Sequence, residues 1–157
     1  MNKSTLQKED GNYRSHSQHP SQDYRRLTFV LPHEVDKQSA RALPHIQRAL
    51  DRGGSYSIHD VLSELRSGAA QLWLAESGDK VTAICITVLN QHPQSKSCLI
   101  WLCGGDGVRT WLKLLTHIED WAKAEGCDLI TLRGRAGWER MLPDYEKTKV
   151  ILEKQLR

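Results

Sequence analysis

Residues 97–133 read SCLIWLCGGDGVRTWLKLLTHIEDWAKAEGCDLITLR. The run Ser97–Leu102 is almost continuously apolar, as a strand covered on both faces would be. Cys103-Gly104-Gly105-Asp106-Gly107 then breaks it. Val108, Trp111, Leu112, Leu115, Ile118 and Ala122 follow at steps of 3, 1, 3, 3 and 4, which is one apolar stripe of a helix over 108–125. Gly126 suits the left-handed residue that ends a helix. Residues 128–133 (DLITLR) return to strand character. A helix that starts just after glycines offers unpaired backbone N–H groups and a positive dipole end, which together favour an anion such as phosphate. The spacing is neither that of a Walker loop nor that of a dinucleotide fingerprint, and Asp106 opposes an anion unless it points away. A plain strand-to-helix turn is the competing reading.

Upstream of this unit, residues 71–76 (QLWLAE), the turn Ser77-Gly78-Asp79 and residues 80–89 (KVTAICITVL) form an antiparallel hairpin pattern. The strand of residues 96–102 joins this group after the loop of residues 90–95. Ser57 with Asp60 three residues on is a capping-box pattern, and Val61, Leu62 and Leu65 give the next helix its apolar face. Gly68 closes that helix. Residues 34–51 are helical in pattern, with Pro44 expected to kink or split them. Residues 26–31 (RLTFVL) make a first strand, stopped by Pro32. Downstream, residues 137–142 form a short helix ended by Pro143, and residues 148–154 (TKVILEK) read as a last strand. The sum is an α/β (α+β) fold with a mixed central sheet of about six strands and helices on both faces.

Composition narrows the function classes. The 157 residues are 39% hydrophobic and 26% charged, which suits one globular domain. No apolar run approaches the length of a membrane span, and residues 1–20 lack the apolar stretch of a secretory signal. The net charge of +3 is too mild to argue for nucleic acid. Cys85, Cys98, Cys103 and Cys127 form no paired metal-ligand spacing, and the seven histidines are scattered, so no metal site is expected. A cytosolic setting with reduced thiols is expected. Residues 1–25 are poor in apolar side chains, so they are expected to be a flexible, solvated tail, with an arm that orders on a protein partner as the alternative, and the domain proper is expected at 26–157.

The order of elements resembles the GNAT-type N-acetyltransferases, the acyl-CoA N-acyltransferase fold. Gly105-x-Gly107 is similar to the end of that superfamily's pyrophosphate loop, Arg/Gln-x-x-Gly-x-Gly/Ala. Residues 144–154 (DYEKTKVILEK) look like its aromatic-then-strand close. Residues 134–140 (GRAGWER) and 71–74 (QLWL) resemble short GNAT-like proteins of bacteriophages and prophages.

The resemblance implies acetyl-CoA or CoA in a V-shaped opening between the strand Ser97–Leu102 and the next strand, with an unidentified primary amine as acetyl acceptor. It implies pyrophosphate contacts from Leu102, Cys103, Gly104, Gly105, Asp106, Gly107 and Val108. The strand would hold the pantetheine through its backbone.

The chain also departs from the pattern. Leu102 stands at the Arg/Gln position, and residues 96–102 contain no acidic side chain to serve as base. Tyr145 is the candidate thiolate acid in one register and a packing aromatic in the other. Trp138, flanked by Arg133, Arg135 and Arg140, is a candidate anchor for a protein partner. Two functions stand as expectations. One is an acyl-CoA-binding N-acetyltransferase of the bacterial cytoplasm. The other is a non-enzymatic phage or virion protein that acts through residues 1–25.

Overall fold

The computed structural model describes residues 25–106, 112 and 115–156. Five strands form one sheet in the order β1-β2-β3-β4-β5. They are β1 (Arg25–Val30), β2 (Ala70–Ser77), β3 (Lys80–Gln91), β4 (Lys96–Gly105) and β5 (Leu129–Leu132). The first three pairings are antiparallel and β4–β5 is parallel, so the sheet is mixed. The helices are α1 (Val35–Asp51), α2 (Ile58–Ser67), α3 (Leu115–Ala124) and α4 (Trp138–Met141). A short 3₁₀ turn over Pro32–Glu34 leads from β1 into α1.

Period-two alternation along the strands builds a core on each side of the sheet. Leu72, Leu74, Ile84 and Ile86 pack with Ala42, Ile46, Val61 and Leu65 of α1 and α2. Trp73, Ala75, Ala83 and Cys85 face the other way and meet Leu115 and Ile118 of α3 and Leu142. Burying a side chain of this size stabilises by about 1.5–3 kcal/mol, so neither layer is dispensable. Phe29, Trp73 and Trp121 form an edge-to-face cluster in the second layer, with Phe29–Trp73 centroids 4.8 Å apart and Trp73–Trp121 centroids 5.1 Å apart.

Local signals hold where they rest on paired groups. The Ser57 hydroxyl accepts the Asp60 N–H at 3.2 Å, the Asp60 carboxylate accepts the Ser57 N–H at 2.7 Å, and Gly68 ends α2 at φ 79°. Gly78 and Asp79 form a two-residue hairpin turn, with Gly78 at φ 59°.

Two expectations change. Pro44 lies inside one helix assigned from Val35 to Asp51, so of the expected kink or split the split does not occur. Its ring is on the exposed side, while Ala42, His45, Ile46 and Ala49 press into the sheet around it. Tertiary packing thus outweighs one missing N–H. Residues 148–154 are not a strand: the segment has no ladder partner among the described residues, and Val150, Ile151 and Leu152 are exposed.

Residues 1–24 of the expected arm lie outside the described residues, as does the N-terminal half of the helix expected over 108–125. Arg25 opens β1.

A buried carboxylate ties β1, β2 and α1 together. Glu76 is 3% exposed. It accepts hydrogen bonds from Thr28 Oγ1 at 2.6 Å, Arg41 Nη2 at 2.6 Å and Arg26 Nη2 at 3.1 Å. Burial alone would raise its pKa, but the Thr28 hydroxyl and the two guanidinium groups outweigh it and hold the carboxyl below its ordinary value.

Candidate functional site

The site is made by a strand that bends. β4 and β5 run parallel only from Ser97↔Leu129 to Ile100↔Leu132. On the other side of β4, Ile86 faces Leu102 and Thr87 faces Ile100, so Trp101 is one extra residue. This bulge breaks the alternation. Ile100 packs in the α3 layer, Trp101 and Leu102 both pack in the α1 layer, and Cys103 returns to the α3 layer. A bulge bends its strand and increases the local twist. Here it sits where β5 stops pairing, so β4 continues alone to Gly105. Beyond Ile100 the edge of β4 on the β5 side has no strand neighbour among the described residues.

The opening is a cleft of about 320 Å³ between β4 and the end of β5. The β4 wall is Ile100, Trp101, Leu102 and Cys103; the opposite wall is Leu132, Arg133, Gly134, Arg135 and Trp138. Ala49, Arg52 and Gly53 close it at the end of α1. The Trp138 ring lies over Gly134, where a β-carbon would come within 2.6 Å of it. Trp138 is therefore a half-buried wall of the cleft, not the free anchor expected from the sequence. Trp101 is steadied by Tyr56, with centroids 4.9 Å apart and ring planes 79° apart.

Charge in the cleft has one sign. Among the described residues Arg52, Arg133 and Arg135 line it, and no acidic side chain does. None of the three guanidinium groups has a hydrogen-bond or ion-pair partner among the described residues. Three guanidinium groups around one opening attract an anion and suit bidentate binding of phosphate or carboxylate.

The glycines have a packing role of their own. Cys103, Gly104 and Gly105 belong to β4, paired with Cys85, Ile84 and Ala83, so the turn starts at Asp106. Gly105 has φ 149°, and a β-carbon there would overlap Ala83 and the Thr82 carbonyl. At Gly104 a β-carbon would lie 3.0 Å from the His45 carbonyl of α1. A bulky residue at 105 would thus disrupt the strand itself.

Asp106 is neutralised. Arg48 Nη1 donates to its carboxylate at 3.0 Å, which lowers its pKa. Arg48 Nη2 also meets His45 Nδ1 at 2.8 Å, while His45 Nε2 lies 3.0 Å from the Val81 carbonyl. A carbonyl can only accept, so Nε2 carries the proton and Nδ1 accepts from Arg48. Gly107 and Val108 lie outside the described residues.

Of the remaining expected residues, Leu102 and Cys103 are on the cleft and Tyr145 is not. The Tyr145 hydroxyl donates to Glu119 Oε1 at 2.8 Å, and its ring packs in the α3 layer. Burial, followed by the Glu119 carboxylate, raises its pKa well above that of a free phenol. Cys103 stands opposite the buried Cys85, whose thiol is pushed up by its hydrogen bond to Cys103 and by burial. Sequence reasoning missed Arg52 and the Arg48–Asp106 pair. Arg48 lies in α1 and Arg52 caps its end, both more than 40 residues before β4, and no local motif announces them. Among the described residues no cluster of His, Cys, Asp and Glu could hold a metal ion.

No family model matches the sequence, and no curated protein matches it. Solved structures match in fold. An aminoglycoside acetyltransferase from an uncultured soil metagenomic sample superposes with a TM-score of 0.64 at 10% identity, covering 87% of this chain and 99% of its own. A predicted acetyltransferase with acetyl-CoA from Clostridium acetobutylicum gives 0.61 at 13% identity, covering 83% and 96%. A GNAT family acetyltransferase of Staphylococcus aureus gives 0.61 at 14% identity, covering 84% and 98%. Identities this low establish the fold, which is that of the GNAT acetyltransferases.

Proposed function

We propose that this chain, which has the GNAT acetyltransferase fold, binds acetyl-CoA in the β4–β5 cleft and transfers the acetyl group to a primary amine. The supporting observation is the lone edge of β4 beyond Ile100, facing Arg133 and Arg135. Such an edge offers backbone N–H and C=O groups to an extended amide chain, as it would to an added strand. The three arginines suit the phosphates, and Arg48 keeps Asp106 from repelling them. The residues present therefore fit this cofactor, with Leu102–Asp106, and Gly107 and Val108 after them, as its proposed contacts.

When bound, the cofactor supplies an acetyl thioester. The chain supplies orientation and charge. Trp101, Leu102 and Leu132 would exclude water from the cleft, and the arginines would hold the phosphates and so orient the thioester. Among the described residues no carboxylate or histidine lines the cleft, so the amine would give its proton to water and the leaving thiolate would take one from water. Tyr145 keeps a packing role unless Glu119 releases its hydroxyl.

The test is release of free CoA thiol on mixing acetyl-CoA with a panel of primary amines. Amine-dependent release above the uncatalysed rate, rising with pH as the acceptor deprotonates, is expected. No release with any amine would overturn transfer.

A second reading is favoured by the packing roles of Gly104 and Gly105 and by the lack of a carboxylate or histidine on the cleft among the described residues. In it the domain is a non-enzymatic scaffold of a phage or prophage, and residues 1–25 bind its partner. It requires that acetyl-CoA not bind. The setting is a bacterial cytoplasm for the first reading and a virion for the second.

A further inference from the structure

Cys85 on β3 and Cys103 on β4 stand directly opposite each other, and the ladder fixes what kind of pair they are. The Asp106 N–H donates to the Thr82 carbonyl at 2.8 Å. That bond flanks the pair Ala83↔Gly105, so these two residues exchange no hydrogen bond with each other. Antiparallel pairs alternate in kind, and the register is unbroken from Ala83 to Ile86. Cys85↔Cys103, two residues along, is therefore again a non-hydrogen-bonded pair. In such a pair the α-carbons stand about 4.5 Å apart and the side chains are at their closest. A disulfide needs α-carbons about 4.4–6.8 Å apart, so this pair can be bridged where it stands. Both side chains belong to the α3 layer, and the Cys85 thiol is hydrogen-bonded to Cys103.

The two thiols differ in access. Cys85 is buried, whereas Cys103 is half-buried and lines the cleft. A small reagent that enters the cleft meets Cys103 first. The hydrogen bond to Cys103, and then burial, keep Cys85 protonated, so it reacts only after its neighbour has been activated. The other cysteines are placed differently. Cys98 faces Leu89 and Ile130 across the two ladders, and Cys127 lies between α3 and β5, outside any strand.

We propose that Cys85 and Cys103 are a reversible redox pair, in which a peroxide entering the cleft oxidises Cys103 and Cys85 resolves the product to a cross-strand disulfide. The Cys103 thiolate attacks one peroxide oxygen, the O–O bond breaks, and hydroxide leaves a sulfenic acid behind. The Cys85 sulfur then attacks the Cys103 sulfur. The S–O bond breaks, and the departing hydroxide takes the Cys85 proton and leaves as water. In sum two thiols lose two electrons and two protons, and one hydrogen peroxide becomes two waters. A dithiol reverses the step by exchange. The crosslink ties β4 to β3 in the stretch that β5 no longer accompanies, and it forms whatever else the cleft binds.

Peptide mass mapping of the folded full chain after treatment with hydrogen peroxide tests this. The expected product has lost two of its four thiols, is lighter by two hydrogens, and contains a peptide that links Cys85 to Cys103. Dithiothreitol should restore both thiols, and circular dichroism should show the fold kept throughout. In Cys103→Ser, a change at a half-buried position, Cys85 should stay reduced. In Cys85→Ala, Cys103 should stop at the sulfenic acid, which dimedone traps. Four thiols that all survive peroxide overturn the inference, as does a linkage between any other two cysteines. So does Cys85 oxidised equally fast in Cys103→Ser, or a Cys85–Cys103 link found only after the fold is lost.

Discussion

Ile100 stands opposite Leu132 in the last parallel pair of β4 and β5, and the residue after it, Trp101, is the bulge that sends β4 on alone. The cleft is therefore a consequence of backbone register. Its walls are set by how far β5 accompanies β4, and its charge is set by the arginines at the end of β5 and of α1.

Arg133 and Arg135, just past Leu132, carry the anion-binding part of the account. Arg133→Glu and Arg135→Glu should each weaken acetyl-CoA binding about 10- to 100-fold, the loss expected when a charge-assisted hydrogen bond to phosphate is removed. The melting temperature should hardly move, because neither guanidinium group has a protein partner among the described residues. Calorimetric titration paired with a thermal melt separates the two effects.

Gly105 carries a structural load whatever the cleft binds. Gly105→Ala places a β-carbon on Ala83 at φ 149°. The expected cost is about 2–4 kcal/mol, from backbone strain and overpacking together. Gly104→Ala should cost less, since the nearest atom there is 3.0 Å away. Urea denaturation of both variants gives the values, and an unchanged midpoint for Gly105→Ala would contradict the packing.

Glu76 makes stability depend on acid. Its folded pKa lies below the ordinary 4.5, so its contribution is present above that value and is lost as pH falls through the lower folded value. Glu76→Gln should lower stability at neutral pH by about 1–3 kcal/mol. It should also flatten the fall in stability below pH 4.5. Denaturation curves across that range, for both proteins, check the sign.

The thiols should separate by reactivity. Burial pushes the Cys98 thiol up to about 12, and Cys85 is buried against Cys103. Alkylation of the native chain should spare both and modify the half-buried Cys103 and Cys127. Acetyl-CoA should shield Cys103, which lines the cleft, and leave Cys127 open. Peptide mass mapping with and without acetyl-CoA reads this directly.

The sequence made the elements legible where the signal is local. Ser57 with Asp60, Gly68, and the alternation of Leu72, Trp73, Leu74 and Ala75 need only near neighbours to be read. The site was half legible. The glycines of residues 104–107 drew attention to this stretch, and Leu102 and Cys103 do line the cleft, but Trp101 as a bulge was not legible, because one extra residue in a strand shows only against its partner. Arg52 joins Arg133 and Arg135 from about 80 residues away, through the packing of α1 on the sheet. Pro44 and residues 148–154 misled for opposite reasons. Packing overrode a local breaker in the first case. In the second, strand propensity alone did not bring the segment into the sheet, and it has no ladder partner among the described residues.

The most direct test of the central claim is calorimetric titration of the purified chain with acetyl-CoA, repeated on the Arg133→Glu, Arg135→Glu double variant. Micromolar binding of one acetyl-CoA per chain, lost in the double variant while the fold persists, is the result predicted. Absence of binding at millimolar acetyl-CoA would contradict it and leave the cleft as part of a scaffold.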